Sequence, residues 1–293
     1  MKKILLALLM IVSLNLRGTV IPARSVQMDP QPAETAPVVT VLPNPFRPEE
    51  TEGEKTEEKV ETEPEDPVRT VDPSRPMVAL TFDDGPHPVY TDRLLDILEE
   101  NGAVATFFEV GQKLSGAPEA VCRAEKLGCE IGSHSNRHAN LGKLAPEALE
   151  ADLAAADAAF EEVLGATPTL LRPPYGATSK VLKESSGRSI VTWSVDPQDW
   201  KLRNAEQVVA HIQGAGNLDG QVILLHSIYE SSVEATRTLV PWLQEQGYQL
   251  VTVSELITLR FGDTLEHNRL YNYDYFRRPP ALTENTGEGQ SAA

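Results

Sequence analysis

Asp83 and Asp84 stand side by side in Thr81-Phe-Asp-Asp-Gly-Pro86, straight after the apolar run Met77-Val-Ala-Leu80. Neighbouring carboxylates repel and raise each other's pKa unless something neutralises them. A metal on one and a cation beside the other would do so. Two histidines four positions apart, in His134-Ser-Asn-Arg-His138, point the same way on a helical or turning segment. Joined by a carboxylate from another strand, they make a two-histidine, one-carboxylate site with open positions, the arrangement of hydrolytic zinc enzymes. Non-haem iron(II) oxygenases use the same ligands, but on a different scaffold and without a paired acid and base. Arg172, in Arg172-Pro-Pro-Tyr-Gly176, is the natural cation for the free aspartate, because a guanidinium matches a carboxylate bidentately. A surface salt bridge is its blander reading. The two prolines fix that loop and Gly176 allows a close approach, so the loop can aim a backbone N–H at developing charge. His226 closes the apolar strand-like run Val222-Ile-Leu-Leu225. It reads either as a satisfied core histidine or as a proton donor to a leaving group, held protonated by a carboxylate. Asp199, beside Trp200, is the first choice for that carboxylate and Asp196 the second.

These residues need strands to carry them. From Met77 to about Leu259 the pattern alternates between short apolar runs and amphipathic segments. Strands are expected at 77–82, 105–110, 130–134, 170–172, 190–195, 221–226 and 249–253. Helices are expected at 90–101, 118–127, 146–164, 179–185, 205–215 and 233–246, with Gly165 as a stop signal for the long one. Alternating β and α units imply a parallel sheet covered by helices. About seven strands over this length predict an α/β fold with barrel-like closure, and a flat doubly wound sheet is the alternative. In a parallel barrel the site lies at the C-terminal ends of the strands. Asp83, Asp84, His134, Arg172, Asp199 and His226 all fall at or just beyond such ends, and packing does not explain polar residues delivered to one rim by five strands.

Composition bounds the rest. The chain has 293 residues and a net charge of −17, which argues against nucleic acid as a partner. Lys2 and Lys3 precede an apolar run, Ile4 to Val12. That run has the size of a signal-peptide core and is short for a membrane span. Residues 1–23 are therefore expected to be a signal peptide or membrane anchor, and the protein to be exported. It would be secreted or N-terminally anchored, on the extracellular or cell-wall side of the membrane. Residues 24–75 are rich in Pro, Glu and Thr and lack apolar periodicity, which predicts a disordered spacer. A folded domain is expected over 76–260 and a tail over 261–293, whose Tyr271, Tyr273, Tyr275 and Phe276 either pack on the domain or touch a partner. Cys122 and Cys129 either form a short-loop disulfide, as export would allow, or act as two small apolar residues. A monomer is expected.

The five motifs occur together and in order as Thr81-Phe-Asp-Asp-Gly-Pro86, His134-Ser-Asn-Arg-His138, Arg172-Pro-Pro-Tyr-Gly176, Asp196-Pro-Gln-Asp-Trp200 and Leu224-Leu-His226. In this the chain resembles the polysaccharide deacetylase (NodB homology) domain, carbohydrate esterase family 4, over roughly residues 76–259. The resemblance implies a distorted (β/α)7 barrel. It implies Asp83 as general base and Asp84, His134 and His138 as ligands of a divalent metal, Zn2+ first and Co2+ second. Arg172 would orient Asp83. The Tyr175 N–H would help hold an oxyanion. Asp199 would tune His226, the general acid. Pro173, Tyr175 and Trp200 would line a sugar-binding groove. The implied reaction is removal of N-acetyl groups from N-acetylglucosamine units, of peptidoglycan first and chitin-type oligomers next. An O-acetyl xylan esterase is the second enzymatic reading, and a catalytically silent glycan-binding module is the non-enzymatic one.

Overall fold

The computed structural model describes residues 69–279 together with the two-residue strand Val39–Thr40. The predicted signal or anchor segment and most of the predicted spacer lie outside the described residues. The end of that spacer does not stand clear of the domain. Thr70–Val71 pairs antiparallel with Val39–Thr40, Val71 is buried, and Arg69 forms an ion pair with Glu255.

The strands that matter are β1 (Met77–Gly85), β2 (Thr106–Glu109), β3 (Glu130–Ser133), β4 (Leu170–Leu171), β5 (Ser189–Val191), β6 (Gln221–His226), β7 (Gln249–Leu250) and β8 (Leu270–Tyr271). They form one parallel sheet in the order β8-β5-β4-β3-β2-β1-β6, with β7 paired to the start of β1. The chain leaving β5 reaches across to β6: the Ser194 N–H donates to Val222 O at 2.9 Å and the Leu224 N–H to Val195 O at 2.9 Å. The sheet therefore curls round on itself as a distorted (β/α)7 barrel, not the flat doubly wound alternative. Its helices are α1 (Tyr90–Glu100), α2 (Pro118–Lys126), α3 (Pro146–Leu164, ending at Gly165), α4 (Lys180–Ser185), α5 (Ala205–Gln213) and α6 (Glu230–Glu245).

Side chains alternate across a strand, and β1 shows what that does here. Val78, Leu80 and Phe82 join the core beneath the helices, whereas Met77 and Ala79 join a second cluster inside the curl with Phe108, Val191, Val222 and Tyr271. Phe82 stacks on Phe107 at 5.1 Å, and each fully buried ring of this kind is worth roughly 1.5–3 kcal/mol. The inward row continues through Thr81 to Asp83, so the pleat that builds the core also delivers the first carboxylate to the interior.

Three expectations are corrected. The fifth strand stops at Val191, and Val195 makes only an isolated bridge to Ile223. The seventh stops at Leu250, because Thr252 and Glu255 form a capping box that starts a helical turn. The sheet also runs past residue 260: Leu270–Tyr271 pairs with β5. Tyr271, Tyr275 and Phe276 are buried, while Tyr273 is exposed. Both cysteines are free thiols. The Cys122 Sγ donates to Val163 O, and burial pushes the Cys129 thiol up to about 12.

Candidate active site

Strand register decides which residues meet. Asp83 is the register partner of His226 on β6, and Ser133 pairs with both Glu109 and Leu171. The residues just past this level, Asp84, His134 and Arg172, therefore leave their strands together. Strict alternation would send Asp84 to the face opposite Asp83. A register irregularity between Asp83 and Gly85 prevents this, with Asp84 in left-handed backbone at φ 72°. Such a bulge re-aims a side chain. Gly85 is needed beside it, since a Cβ there would lie 2.4 Å from Glu109 Oε2 and 2.5 Å from Ser227 Oγ.

His138 Nε2 and His134 Nε2 lie 3.0 and 3.4 Å from Asp84 Oδ1. Among the described residues these three side chains are the group whose ligand atoms converge, within 4.8 Å of one another. The His134 Nδ1 is 2.7 Å from Arg172 O. That carbonyl can only accept, so Nδ1 carries the hydrogen and Nε2 keeps its lone pair for a metal. Among the described residues the buried Asp84 Oδ1 makes no hydrogen bond of good geometry. An orphaned carboxylate oxygen facing two imidazole nitrogens fits a divalent cation of the zinc type. Burial pushes the Asp84 carboxyl up, but the His134 and His138 imidazoles outweigh it and hold it well below the usual range. The histidine loop is pinned from α3: the Asn136 N–H donates to Asp152 Oδ1 at 2.9 Å, and Arg137 lies 3.3 Å from Asp152 Oδ2.

Arg172 is fully buried and holds Asp83. Its Nη1 donates to Asp83 Oδ1 at 2.7 Å and to Thr81 Oγ1 at 2.6 Å, and its Nη2 to Thr192 O at 3.1 Å. Its guanidinium lies 4.0 Å above the Phe108 ring. Burial lowers its pKa and Asp83 raises it, with burial the larger. The contact with Asp83 is monodentate, which leaves Asp83 Oδ2 without a hydrogen bond among the described residues, 3.8 Å from His134 Nε2. In the following loop Pro173 and Pro174 are buried, so Pro173 shapes the loop and presents no face to a ligand. Tyr175, at φ 62°, is exposed and meets His138 edge-on at 4.8 Å. Its N–H makes no hydrogen bond among the described residues. A Cβ on Gly176, at φ 63°, would lie 3.2 Å from the Trp193 ring.

On the other side Asp199 is completely buried and saturated. It accepts from His226 Nδ1 (2.8 Å), the His226 N–H (2.8 Å), the Trp200 N–H (2.8 Å) and Ser232 Oγ (2.6 Å). Burial lowers the His226 pKa, but the hydrogen bond and charge of Asp199 prevail and leave it raised. Asp196, the second choice, is exposed and accepts from the Gln198 N–H in its own turn. Trp200 is exposed at the rim.

Sequence reasoning missed Asp152 and Ser232, which carry no motif and act from helices. It also missed Glu109. This carboxyl is 1% exposed behind the bulge, and neither oxygen has a hydrogen-bond partner among the described residues. Burial, with smaller contributions from Asp83 and Asp84 against Lys113, pushes it up to about 8. The non-glycine residues Asp84, Ser135, His138, Tyr175, Gln198 and Arg203 all have positive φ. Each costs of order 1 kcal/mol, and such strain gathers at functional sites.

The family profile described as polysaccharide deacetylase matches residues 70–188. A peptidoglycan-N-acetylglucosamine deacetylase of Bacillus cereus is 36% identical over 189 residues, which cover 62% of this chain and 88% of that protein. This chain belongs to the polysaccharide deacetylase family. The part matched by the polysaccharide deacetylase profile holds Asp83, Asp84, His134, His138 and Arg172, whereas Asp199 and His226 lie beyond it. The peptidoglycan-N-acetylmuramic acid deacetylase PdaC of Bacillus subtilis is 40% identical over 187 residues, 64% of this chain. The chain spans only 40% of PdaC's own length. A solved family 4 acetyl xylan esterase from Clostridium thermocellum, in complex with cobalt, superposes with a TM-score of 0.62 at 35% identity, covering 67% of this chain and 98% of that one.

Proposed function

We propose that this protein is an exported, metal-dependent hydrolase that removes N-acetyl groups from N-acetylglucosamine units of a polysaccharide, with cell-wall peptidoglycan as the polymer. The observation that carries the reading is one mouth at which a three-ligand cluster stands beside a carboxylate with a bare oxygen, and that carboxylate's strand partner is a carboxylate-held histidine. Asp84, His134 and His138 would hold the ion, Zn2+ first and Co2+ second. When bound, it supplies Lewis acidity that polarises the acetyl carbonyl and lowers the pKa of water towards ~7.

The chain's own residues do the rest. Asp83 Oδ2 accepts the proton of the attacking water, while Arg172 holds the carboxylate through Oδ1 and aims it. The free Tyr175 N–H is available to the carbonyl oxygen as charge develops, and one such donor is worth roughly 3 kcal/mol. His226, bonded through Nδ1 to Asp199, donates from its other nitrogen to the departing amine, a contribution of about 10²–10⁴-fold. Tyr175 and Trp200 offer exposed aromatic faces to a sugar. The products are acetate and a free amine on the glycan.

Export rests on the N-terminal sequence, Lys2-Lys3 followed by the apolar run Ile4 to Val12. Among the described residues no helix is long and apolar enough to cross a membrane. Similarity to an acetyl xylan esterase keeps O-deacetylation as the second reading. The test is acetate release from purified peptidoglycan, chitopentaose and acetylated xylan, with and without chelator. Chelator-sensitive release from peptidoglycan supports the proposal. Release from xylan alone, or glycan binding with no release after Zn2+ or Co2+ is added, overturns it.

A further inference from the structure

Asp83, Asp84 and Asp199 have their counter-charges already, in Arg172, the three-ligand cation site and His226, so a carboxylate on the glycan needs a cation of its own. Arg203 is placed to supply it. It follows the helical turn Asp199–Leu202, whose first residue orients His226. Its backbone is left-handed, with φ 48°. Its Nε donates to Trp200 O at 2.7 Å, and its guanidinium carbon lies 3.2 Å from the centre of the Tyr229 ring. The Tyr229 ring in turn lies 5.8 Å from the His226 ring.

The guanidinium is thus fixed at two points, a carbonyl and an aromatic face, beside the proton donor. Its two Nη groups make no hydrogen bond or ion pair among the described residues, although Arg203 is exposed in a chain of net charge −17. Other arginines with solvent exposure behave differently. Arg93, Arg123, Arg137 and Arg237 each face a carboxylate. Among the described residues Arg75 and Arg277 also make no ion pair, but Arg75 lies before the opposite end of β1 and Arg277 follows the helical turn after β8. Holding a long side chain costs rotamer entropy. A fork held without an internal anion is preorganised for an external one, and its planar N–H edges match a carboxylate.

We propose that Arg203, stacked on Tyr229, is a carboxylate-binding subsite of the glycan groove, taking the lactyl or stem-peptide carboxylate of the muramyl unit next to the N-acetyl sugar at Trp200. This rests on the peptidoglycan reading and deepens it, because chitin-type and xylan polymers of neutral sugars offer no such group.

Binding tests the subsite without turnover. The full chain, loaded with Zn2+ and carrying Asp83→Asn so that no glycan is consumed, is titrated with three oligosaccharides. These are chitopentaose, a peptide-free muramyl glycan with free lactyl carboxylates, and a peptide-substituted muramyl glycan whose lactyl groups are amidated. The expected result is a preference of about tenfold for a carboxylated glycan over chitopentaose, weakening with salt. Arg203→Gln should erase the preference and Arg203→Lys restore part of it. Preference for the peptide-free form assigns the lactyl carboxylate, and preference for the substituted form assigns the stem peptide. An equal ratio of affinities in the Arg203 and Arg203→Gln proteins overturns the proposal, as does a loss that falls equally on chitopentaose. Acetate release by the wild type, run alongside, reports separately on the deacetylase reading. An Arg203-dependent preference without acetate release sinks that reading and leaves the subsite standing.

Discussion

Asp83 and Asp199 are both buried aspartates at the same mouth, but their surroundings differ. The Asp199 carboxylate accepts four hydrogen bonds, all from within the chain. The Asp83 carboxylate accepts one, from Arg172 on Oδ1, and its Oδ2 is bare among the described residues. A saturated carboxylate has no lone pair left for chemistry, so it can only position and charge its neighbour. A carboxylate fixed through one oxygen is aimed and still able to accept a proton. The contrast separates the positioning acid from the reactive base without appeal to sequence.

That contrast can be broken most severely at Asp83. Asp83→Asn should lower kcat for acetate release by at least about 10³-fold, because the bare oxygen's basicity goes while the shape stays. Retention of more than a tenth of the wild-type rate would remove Asp83 from the base role. Arg172→Leu should destabilise the fold by about 3–5 kcal/mol in urea unfolding, since it strands a buried charge. A cost under 1 kcal/mol would mean that Asp83 does not depend on its partner.

At Asp199 the effect should be smaller and of another kind. His226 has a raised pKa, so its proton, and with it the acid role and the ion pair with Asp199, is present below that pKa and lost as pH rises through it. Asp199→Asn should therefore shift the basic limb of the kcat/KM profile to lower pH, and kcat should fall by about 10²-fold. An unmoved basic limb would break the link between the two residues.

The smallest effect on turnover is expected at Glu109, where the readout is stability. Its folded pKa of about 8 lies above the ordinary carboxyl value, so the native state holds the proton more tightly than the unfolded chain does. Stability should fall between about pH 4.5 and 8, and Glu109→Gln should flatten that slope. Urea midpoints at pH 5 and 8 check this, and identical slopes would show that the carboxyl is already compensated.

Much of this site was legible because its chemistry depends on residue type. The Asp-Asp pair, the histidines four apart and the polar residues closing apolar runs each carry a local signal, and their order along the chain matched one family. What was not legible depends on register and distance. The pairing of Asp83 with His226 is a property of two strands 143 positions apart. The support from Asp152 on α3 and Ser232 on α6 has no local pattern, because each is one polar residue in an ordinary helix turn. The bulge at Asp84 shows in the sequence only as Gly85. The strand at Leu270–Tyr271 was missed because two residues are too few to show a period of two.

The central claim is that Asp84, His134 and His138 share one ion while Asp83 stays out of its coordination. Calorimetric titration of the metal-stripped chain with Zn2+ tests it most directly. One ion per chain should bind to the wild type and to Asp83→Asn with affinities within about tenfold, and His134→Ala should lose at least about 10²-fold. Tight binding by His134→Ala, or a loss in Asp83→Asn as deep as that in His134→Ala, would contradict the account.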